Sequence, residues 1–194
     1  MNTTHRRRSA ALAGAGALLV PLALTALAPA AHAGPVAEPF GPGCASLPTS
    51  GEGSAEGLAD DPVATAASNS PALSTLVSAV QKAGLVDTLN TAEGITLFAP
   101  TDDAFEKIPK ADLDAILNDK EQLKDLLAYH VVEQDVTVGE LPDGSFKTLQ
   151  GGQLTTSGSG DSFKVNDSAS IVCGDIPTQN ATVYLIDGVL TPES

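Results

Sequence analysis

Apolar side chains recur every three or four residues over the middle of the chain, which is the spacing of one face of an α-helix. The segment after Ser70-Pro71 is the clearest example. A capping serine and a proline at the first helical position precede its apolar pattern, and Gly84 ends it. Comparable patterns predict helices after Asp60-Asp61-Pro62 and over residues 101–105, 113–117 and 123–130.

The predicted strands lie mostly in the last third of the chain. One early strand is predicted at residues 95–100, a β-branched and aromatic run that ends in a proline. Beyond residue 130 the apolar period changes to two, and turn signals such as Asp143-Gly144 and Gly151-Gly152 separate short runs. These strands are predicted at residues 131–138, 146–150, 153–156, 162–166, 170–172 and 182–186. Helices followed by a meander of strands predict an α+β fold in which a sheet packs against a helical layer.

The first 33 residues have the pattern of a secretory signal peptide. Three arginines at positions 6–8 precede an uncharged, alanine- and leucine-rich stretch, which reaches the small-x-small site Ala31-His32-Ala33. We therefore expect cleavage after Ala33. A retained membrane anchor is the alternative, because about twenty uncharged residues are enough to span a bilayer. The arginine pair leaves both the general and the twin-arginine export routes open.

The remaining chain divides by composition and is strongly acidic. Residues 34–57 are rich in Pro, Gly, Ser and Glu and predict a segment that does not order itself, whereas residues 58–194 predict one folded domain. The whole chain carries a net charge of −14, and loss of the three arginines leaves 7 Lys against 24 acids, or −17. Such a charge argues against binding to nucleic acid and against attraction to anionic membranes once the signal is removed.

The two cysteines, Cys44 and Cys173, both lie beyond the predicted signal peptide. An even number of cysteines in an exported protein predicts a disulfide, which would fasten the middle of the 34–57 segment to the domain. Zinc is a poor alternative, because two distant thiols and one histidine do not have a recognisable ligand spacing.

Catalytic and metal-binding patterns are absent from the sequence. It contains no G-x-S-x-G elbow and no phosphate-binding GK[ST] loop, and its acidic residues lack the EF-hand spacing. Tryptophan, which often forms the platforms for sugar rings, is absent. We therefore predict a protein that is not an enzyme and that carries no cofactor or metal.

His130 is the sole histidine beyond the predicted signal peptide, and it has two interpretations. One is a binding or switch residue that titrates near neutral pH. The other, favoured by its place on the apolar face of its helix, is a core histidine whose ring nitrogens bond to Asp102 or Thr101. The neighbouring Tyr129 either covers the edge of the core or presents its hydroxyl to solvent.

Three segments together resemble the fasciclin (FAS1) domain family. Residues 96–105 (TLFAPTDDAF) are similar to the first motif of the family, residues 126–132 (LLAYHVV) to its central Tyr-His motif, and residues 181–190 (ATVYLIDGVL) to its closing motif. The pattern GPGC at 41–44 and VCG at 172–174 resembles the cysteine pair of the single-domain secreted members from actinobacteria. The resemblance implies a wedge or sandwich of short strands with helices along one side.

The same resemblance implies a function. Fasciclin domains are extracellular adhesion modules without enzymatic activity, and their Tyr-His region is linked to adhesion, which makes Tyr129 and His130 the expected partner-binding residues. We expect a secreted, extracellular monomer that interacts with a protein of the matrix or cell envelope. A carrier that holds a small apolar ligand between helices and sheet is the alternative.

Overall fold

The computed structural model describes residues 38–192, so the predicted signal peptide and its cleavage site lie outside the described residues. Along the described residues, one group of helices precedes the first strand, a second group follows it, and strands make up most of the remainder. The helices are α1 (Ala55–Leu58), α2 (Val63–Asn69), α3 (Ser74–Ala83), α4 (Val86–Thr91), α5 (Asp102–Glu106), α6 (Lys110–Asn118) and α7 (Lys120–Tyr129). The strands are β1 (Ile95–Pro100), β2 (Val131–Val132), β3 (Asp143–Lys147), β4 (Gln153–Ser159), β5 (Ser162–Val165), β6 (Ala169–Pro177) and β7 (Ala181–Ile186). Within the described residues, no helix is both long and apolar enough to cross a membrane.

In residues 38–192 the strands form one sheet in the order β2-β1-β7-β6-β5-β4-β3. Neighbouring strands are antiparallel except β1 and β7, which pair in parallel from Ile95 and Ala181 onward. The strands at the two ends of this order, β2 and β3, are also joined by backbone hydrogen bonds. The N–H of Glu133 donates to the Lys147 carbonyl at 3.1 Å, and that of Leu149 donates to the Val131 carbonyl at 2.7 Å. The sheet therefore curls and closes on itself, which leaves its two end strands joined.

Each face of the central strands is covered by its own core, because side chains alternate along a strand. In β7, Val183 and Leu185 face the helices, whereas Tyr184 and Ile186 face the interior of the curled sheet. The helix-side core also contains apolar residues of α2, α3, α4 and α7, and the inner core contains most of the aromatic rings. This arrangement confirms the predicted α+β fold of strands with helices packed along one side.

Each predicted helix is observed. In α3, Leu76 and Val80 lie buried at the predicted spacing, and Gly84 ends the helix in the left-handed conformation (φ 72°) that favours glycine. The short helix α4 had no predicted counterpart, since its six residues contain one fully buried side chain, Leu89, and show no period.

The predicted strand 131–138 is wrong beyond its second residue. The hydroxyl of buried Thr96 donates to the Gln134 carbonyl and accepts from the Val136 N–H, both at 2.8 Å. The Tyr184 hydroxyl donates to the Val136 carbonyl, also at 2.8 Å. These bonds draw the chain inward at Val136, so residues 133–137 form a loop before the 3₁₀ turn Val138–Glu140.

The predicted strand 146–150 is displaced towards its N-terminal side. Asp143 and Gly144, expected in a turn, pair with Ser157 and Thr156 of β4 as part of β3. The predicted turn at Asp143-Gly144 is therefore wrong. The predicted turn at Gly151-Gly152 is confirmed between β3 and β4, where the Gly151 N–H donates to the Thr148 carbonyl at 2.9 Å.

The described part of the 34–57 segment contacts the domain at Phe40 as well as at Cys44. Phe40 and Gly174 of β6 exchange two backbone hydrogen bonds of 3.1 and 2.8 Å. A Cβ on Gly174 would lie 2.6 Å from the Phe40 ring, so glycine is required where the two segments meet. Cys44 and Cys173 form the predicted disulfide, and their Cα atoms are 4.9 Å apart. Helix α1 crosses the predicted boundary between residues 57 and 58.

Candidate functional site

The candidate site lies at the C-terminal end of α7. The Asp119 carboxylate caps the start of this helix by accepting the N–H groups of Glu121 and Gln122, each at 3.1 Å. The apolar face of the helix then packs on the helix-side core. Tyr129 and His130 consequently lie where the chain leaves α7 and enters β2.

His130 is buried, and both of its ring nitrogens contact backbone groups. Nδ1 lies 2.8 Å from the Leu126 carbonyl oxygen, and Nε2 accepts the N–H of Leu190 at 2.9 Å. A carbonyl only accepts and an amide only donates, so these partners select the neutral ring with its proton on Nδ1. Burial lowers the pKa of His130 to about 4, and the bond to Leu126 opposes this only partly. The interpretation as a core histidine is therefore correct.

The partners expected for that core histidine are wrong. Asp102 caps α3 instead, since its carboxylate accepts the Thr75 N–H at 2.8 Å and the Ser74 hydroxyl at 2.7 Å. Burial acts to raise the pKa of Asp102, but these hydrogen bonds outweigh it and leave the pKa below its usual value. The Thr101 hydroxyl lies 3.4 Å from the Ile186 carbonyl.

Tyr129 is also buried and covers the edge of the inner core. Its hydroxyl donates to the Gln153 carbonyl and accepts from the Asn166 side-chain amide, both at 2.8 Å. Asn166 in turn accepts the Thr155 N–H at 2.9 Å, and its φ of 48° is one that asparagine tolerates. Tyr129 thus joins α7 to β4 and to the turn between β5 and β6.

Neither side chain of the Tyr-His pair reaches the surface, with exposed fractions of 4% for Tyr129 and 1% for His130. The partner-binding role of Tyr129 and His130 stays a prediction. Both side chains bond to other parts of the domain, which is the geometry of residues that hold neighbouring segments in place. The exposed group beside them is the loop between β3 and β4, here called the 149–150 loop after Leu149 and Gln150. The Gln150 N–H donates to the Ala128 carbonyl at 3.2 Å, which holds this loop against the end of α7.

One structural residue, Asn180, is not indicated by the sequence pattern. Asn180, in the turn between β6 and β7, accepts the Val63 N–H at 2.8 Å and so caps α2. Its amide nitrogen donates to the carbonyls of Leu89 and Ala92 at the end of α4. The pattern Asn-Ala after a polar turn signals only the turn, because the two helix ends are about 90 to 120 residues away.

A second candidate site is an apolar cavity of about 110 Å³ between α2, α3, α4 and β1, here called the helix-side cavity. Polar side chains of Thr65, Ser68 and Gln81 border it at the surface. Its buried wall is formed by Ala64, Ala67, Leu76, Val80, Leu89 and Leu97. Among residues 38–192, no cluster of three or more histidine, cysteine or acidic residues is arranged to hold a metal ion.

The three motif segments, the curled sheet and the buried Tyr-His pair together have the pattern of one known domain. The family model "Fasciclin domain" matches residues 71–192. The chain belongs to the fasciclin domain family. The predicted resemblance is therefore confirmed, and it extends over all three motifs.

Relatives of this fasciclin protein include proteins from mycobacteria. It is 48% identical to the cell surface glycolipoprotein MPB83 of Mycobacterium bovis, over 84% of this chain and 76% of that protein. It is 42% identical to the immunogenic protein MPB70 of the same species, over 99% of this chain and 98% of that protein. The predicted similarity to secreted actinobacterial members agrees with both.

A solved structure has the same fold. The FAS1 domain pair of the insect cell adhesion molecule fasciclin I superposes with a TM-score of 0.58 at 17% identity, covering 71% of this chain. The match spans about half of that chain, 53%, as expected for one domain of a pair. At this identity the likeness establishes the fold alone.

Proposed function

We propose that this fasciclin protein is an exported, non-catalytic module that acts outside the cell or at its envelope by binding a matrix or envelope protein. The name of its relative MPB83, a cell surface glycolipoprotein, supports the location, and the predicted signal peptide supports export. The chemistry of the site supports the absence of catalysis. Both ring nitrogens of His130 bond to the backbone, and both cysteines are joined.

The observation that carries the proposal is the complete internal bonding of the Tyr-His pair. Because Tyr129 and His130 bond only to other parts of the domain, they support a positioning role rather than a direct contact. The pair joins α7 to β4 and to the C-terminal segment at Leu190, and the exposed group beside it is the 149–150 loop, which backbone bonds to Ala128 and Val131 hold in place. With 38% of its surface exposed, Leu149 is the one exposed large apolar side chain among residues 38–192. Removal of this apolar side chain from water would favour association with a partner.

A pull-down with immobilised protein tests this proposal. Matrix proteins and an envelope extract of the producing cells are the two sources, and captured proteins are identified by mass spectrometry. The double variant Leu149→Ala, Gln150→Ala is expected to lose at least about tenfold in affinity for the captured partner. Gln122→Ala, an exposed glutamine at the other end of α7, is the matched control and should bind as wild type. Unchanged binding by the double variant would remove the loop from the contact.

The non-catalytic part has a separate test. A panel of ester and glycoside substrates should show no turnover that depends on His130. Turnover lost in His130→Gln, with the fold retained, would overturn this part of the proposal.

The second proposed function is transport of a small apolar ligand, and the helix-side cavity favours it. An apolar space bordered by polar side chains at the surface is the usual form of a small-molecule site. Protein purified without denaturant and extracted with organic solvent should release an apolar molecule detectable by mass spectrometry. Extracts that match those of an unrelated protein from the same cells would count against transport.

A further inference from the structure

We propose that the helix-side cavity binds one neutral molecule through an apolar group the size of a benzene ring, while the polar end of that molecule stays at the rim. This inference rests on the second proposed function and specifies its ligand. It follows from three features of the cavity, namely its walls, its volume and the absence of charge among its lining residues.

The walls leave an opening because α2 is built from small side chains. Ala64 and Ala67 face α3 and α4, at positions where a leucine would occupy the space. The opposite walls are branched aliphatic side chains, such as Leu76 and Leu89, that are at least 97% buried. Apolar walls of this kind favour apolar guests, because binding removes apolar surface from water.

The volume limits what enters. The cavity measures about 110 Å³, whereas typical small-molecule pockets measure about 300–1,000 Å³. A cavity of about 150 Å³ engineered in another protein accepts benzene or xenon. The site therefore accepts a single ring or a short branched alkyl group, and it excludes the body of a long-chain lipid.

The rim selects the rest of the ligand. Thr65 and Gln81 offer an exposed hydroxyl and an exposed amide, and Ser68 donates its hydroxyl proton to the Ala64 carbonyl at 2.9 Å, which leaves its oxygen free to accept. None of the residues that line the cavity is charged. A carboxylate would find no cation there and would meet the negative charge of the protein, so the expected polar end is neutral, such as a hydroxyl or an amide.

Titration of the isotope-labelled protein with benzyl alcohol tests the inference by ¹H–¹⁵N NMR. Saturating shifts are expected for amides of α2, α3 and α4. Benzoate, which has the same ring and a negative charge, should bind at least about tenfold more weakly. Ala64→Leu should lose at least about tenfold in affinity for benzyl alcohol because it fills the cavity. The matched control is Ala115→Leu, the same change at an exposed position of α6.

Two results would overturn the inference. One is binding of benzyl alcohol to Ala64→Leu with wild-type affinity, and the other is a set of shifts confined to residues outside the three helices. Val77→Phe narrows the cavity from another wall and replaces Ala64→Leu if that variant does not fold. Co-purification tests transport of a natural ligand whereas the titration tests the cavity, so either proposal can fail alone.

Discussion

Acid should destabilise this protein through one buried side chain, His130. The ordinary pKa of histidine is 6.5, and burial lowers that of His130 to about 4 in the folded state. Above pH 6.5 the lowered pKa does not affect stability, because the ring is neutral in both the folded and the unfolded state. Stability is then lost as the pH falls from 6.5 towards 4, because only the unfolded chain takes up the proton.

The magnitude follows from the difference between the two pKa values. One pKa unit corresponds to about 1.4 kcal/mol, so the full loss is about 3 kcal/mol, of which about 2 kcal/mol has occurred by pH 5. The structure supplies the cause. A proton on Nε2 would face the Leu190 N–H and would place an unpaired charge in the core. Set against a typical folding free energy of about 5–15 kcal/mol, this loss is measurable.

Urea unfolding followed by circular dichroism at pH 7, 6 and 5 gives the free energy of unfolding. The wild type is compared with His130→Gln, which lacks the titrating ring. The 24 acidic residues are common to both proteins, so the difference between the two pH dependences isolates the histidine. We expect the wild type to lose about 2 kcal/mol more than the variant between pH 7 and pH 5.

Equal pH dependences in the two proteins would refute this reasoning. A second measurement does not need the variant to fold stably. An NMR titration of the imidazole nitrogens should show His130 as the neutral ring protonated on Nδ1 down to about pH 5. A ring that titrates near 6.5 would show that burial does not control this group. His5 and His32, which precede the described residues, are distinguished by their absence after signal cleavage or by assignment.

Three further predictions concern other contacts. Tyr129→Phe removes a hydroxyl that donates to a β4 carbonyl and accepts from the Asn166 amide. Urea unfolding should show a free energy of unfolding lower by about 1–3 kcal/mol, and an unchanged midpoint would contradict this. Asn180→Ala removes bonds to the ends of α2 and α4, so amide hydrogen exchange in these helices should accelerate, while exchange in α7 serves as the internal control. Burial and then the charge of Asp135 raise the pKa of Asp175, so the folded state loses stability as the pH rises through the raised pKa. Asp175→Asn should therefore raise the melting temperature at pH 7 and give no such gain at pH 3. An unchanged melting temperature at pH 7 would contradict this prediction.

Local patterns were sufficient for most of the helices and for much of the sheet. The apolar spacing in α3 and α7 predicts both helices and their buried faces, because a helix face is defined by residues within a few turns. The cysteine pair and the three motifs likewise predict the disulfide and the family. The parallel pairing of β1 with β7 could not be predicted in this way, since the two strands are separated by most of the domain and periodicity does not identify a partner strand.

The same limit applies to the site. Thr96 is apparent in the sequence only as a strand residue, yet its hydroxyl ends the strand expected at 131–138 through bonds to residues about 40 positions away. The helix-side cavity is equally invisible in the sequence, because the alanines of α2 indicate a tightly packed face as readily as an open one.

By itself, the sequence determined that the protein has an acidic domain, a predicted export signal, a disulfide and a fasciclin pattern with His130 on a buried face. Only the tertiary structure decided what surrounds that face. Leu190, the last residue of the closing motif, lies 60 residues from His130 and donates its N–H to Nε2. The physical reason is that periodicity records whether a side chain leaves water, whereas its hydrogen-bond partners depend on how distant segments are brought together. His130 therefore could be predicted as buried, but its lowered pKa and its contact with the C-terminal segment could not.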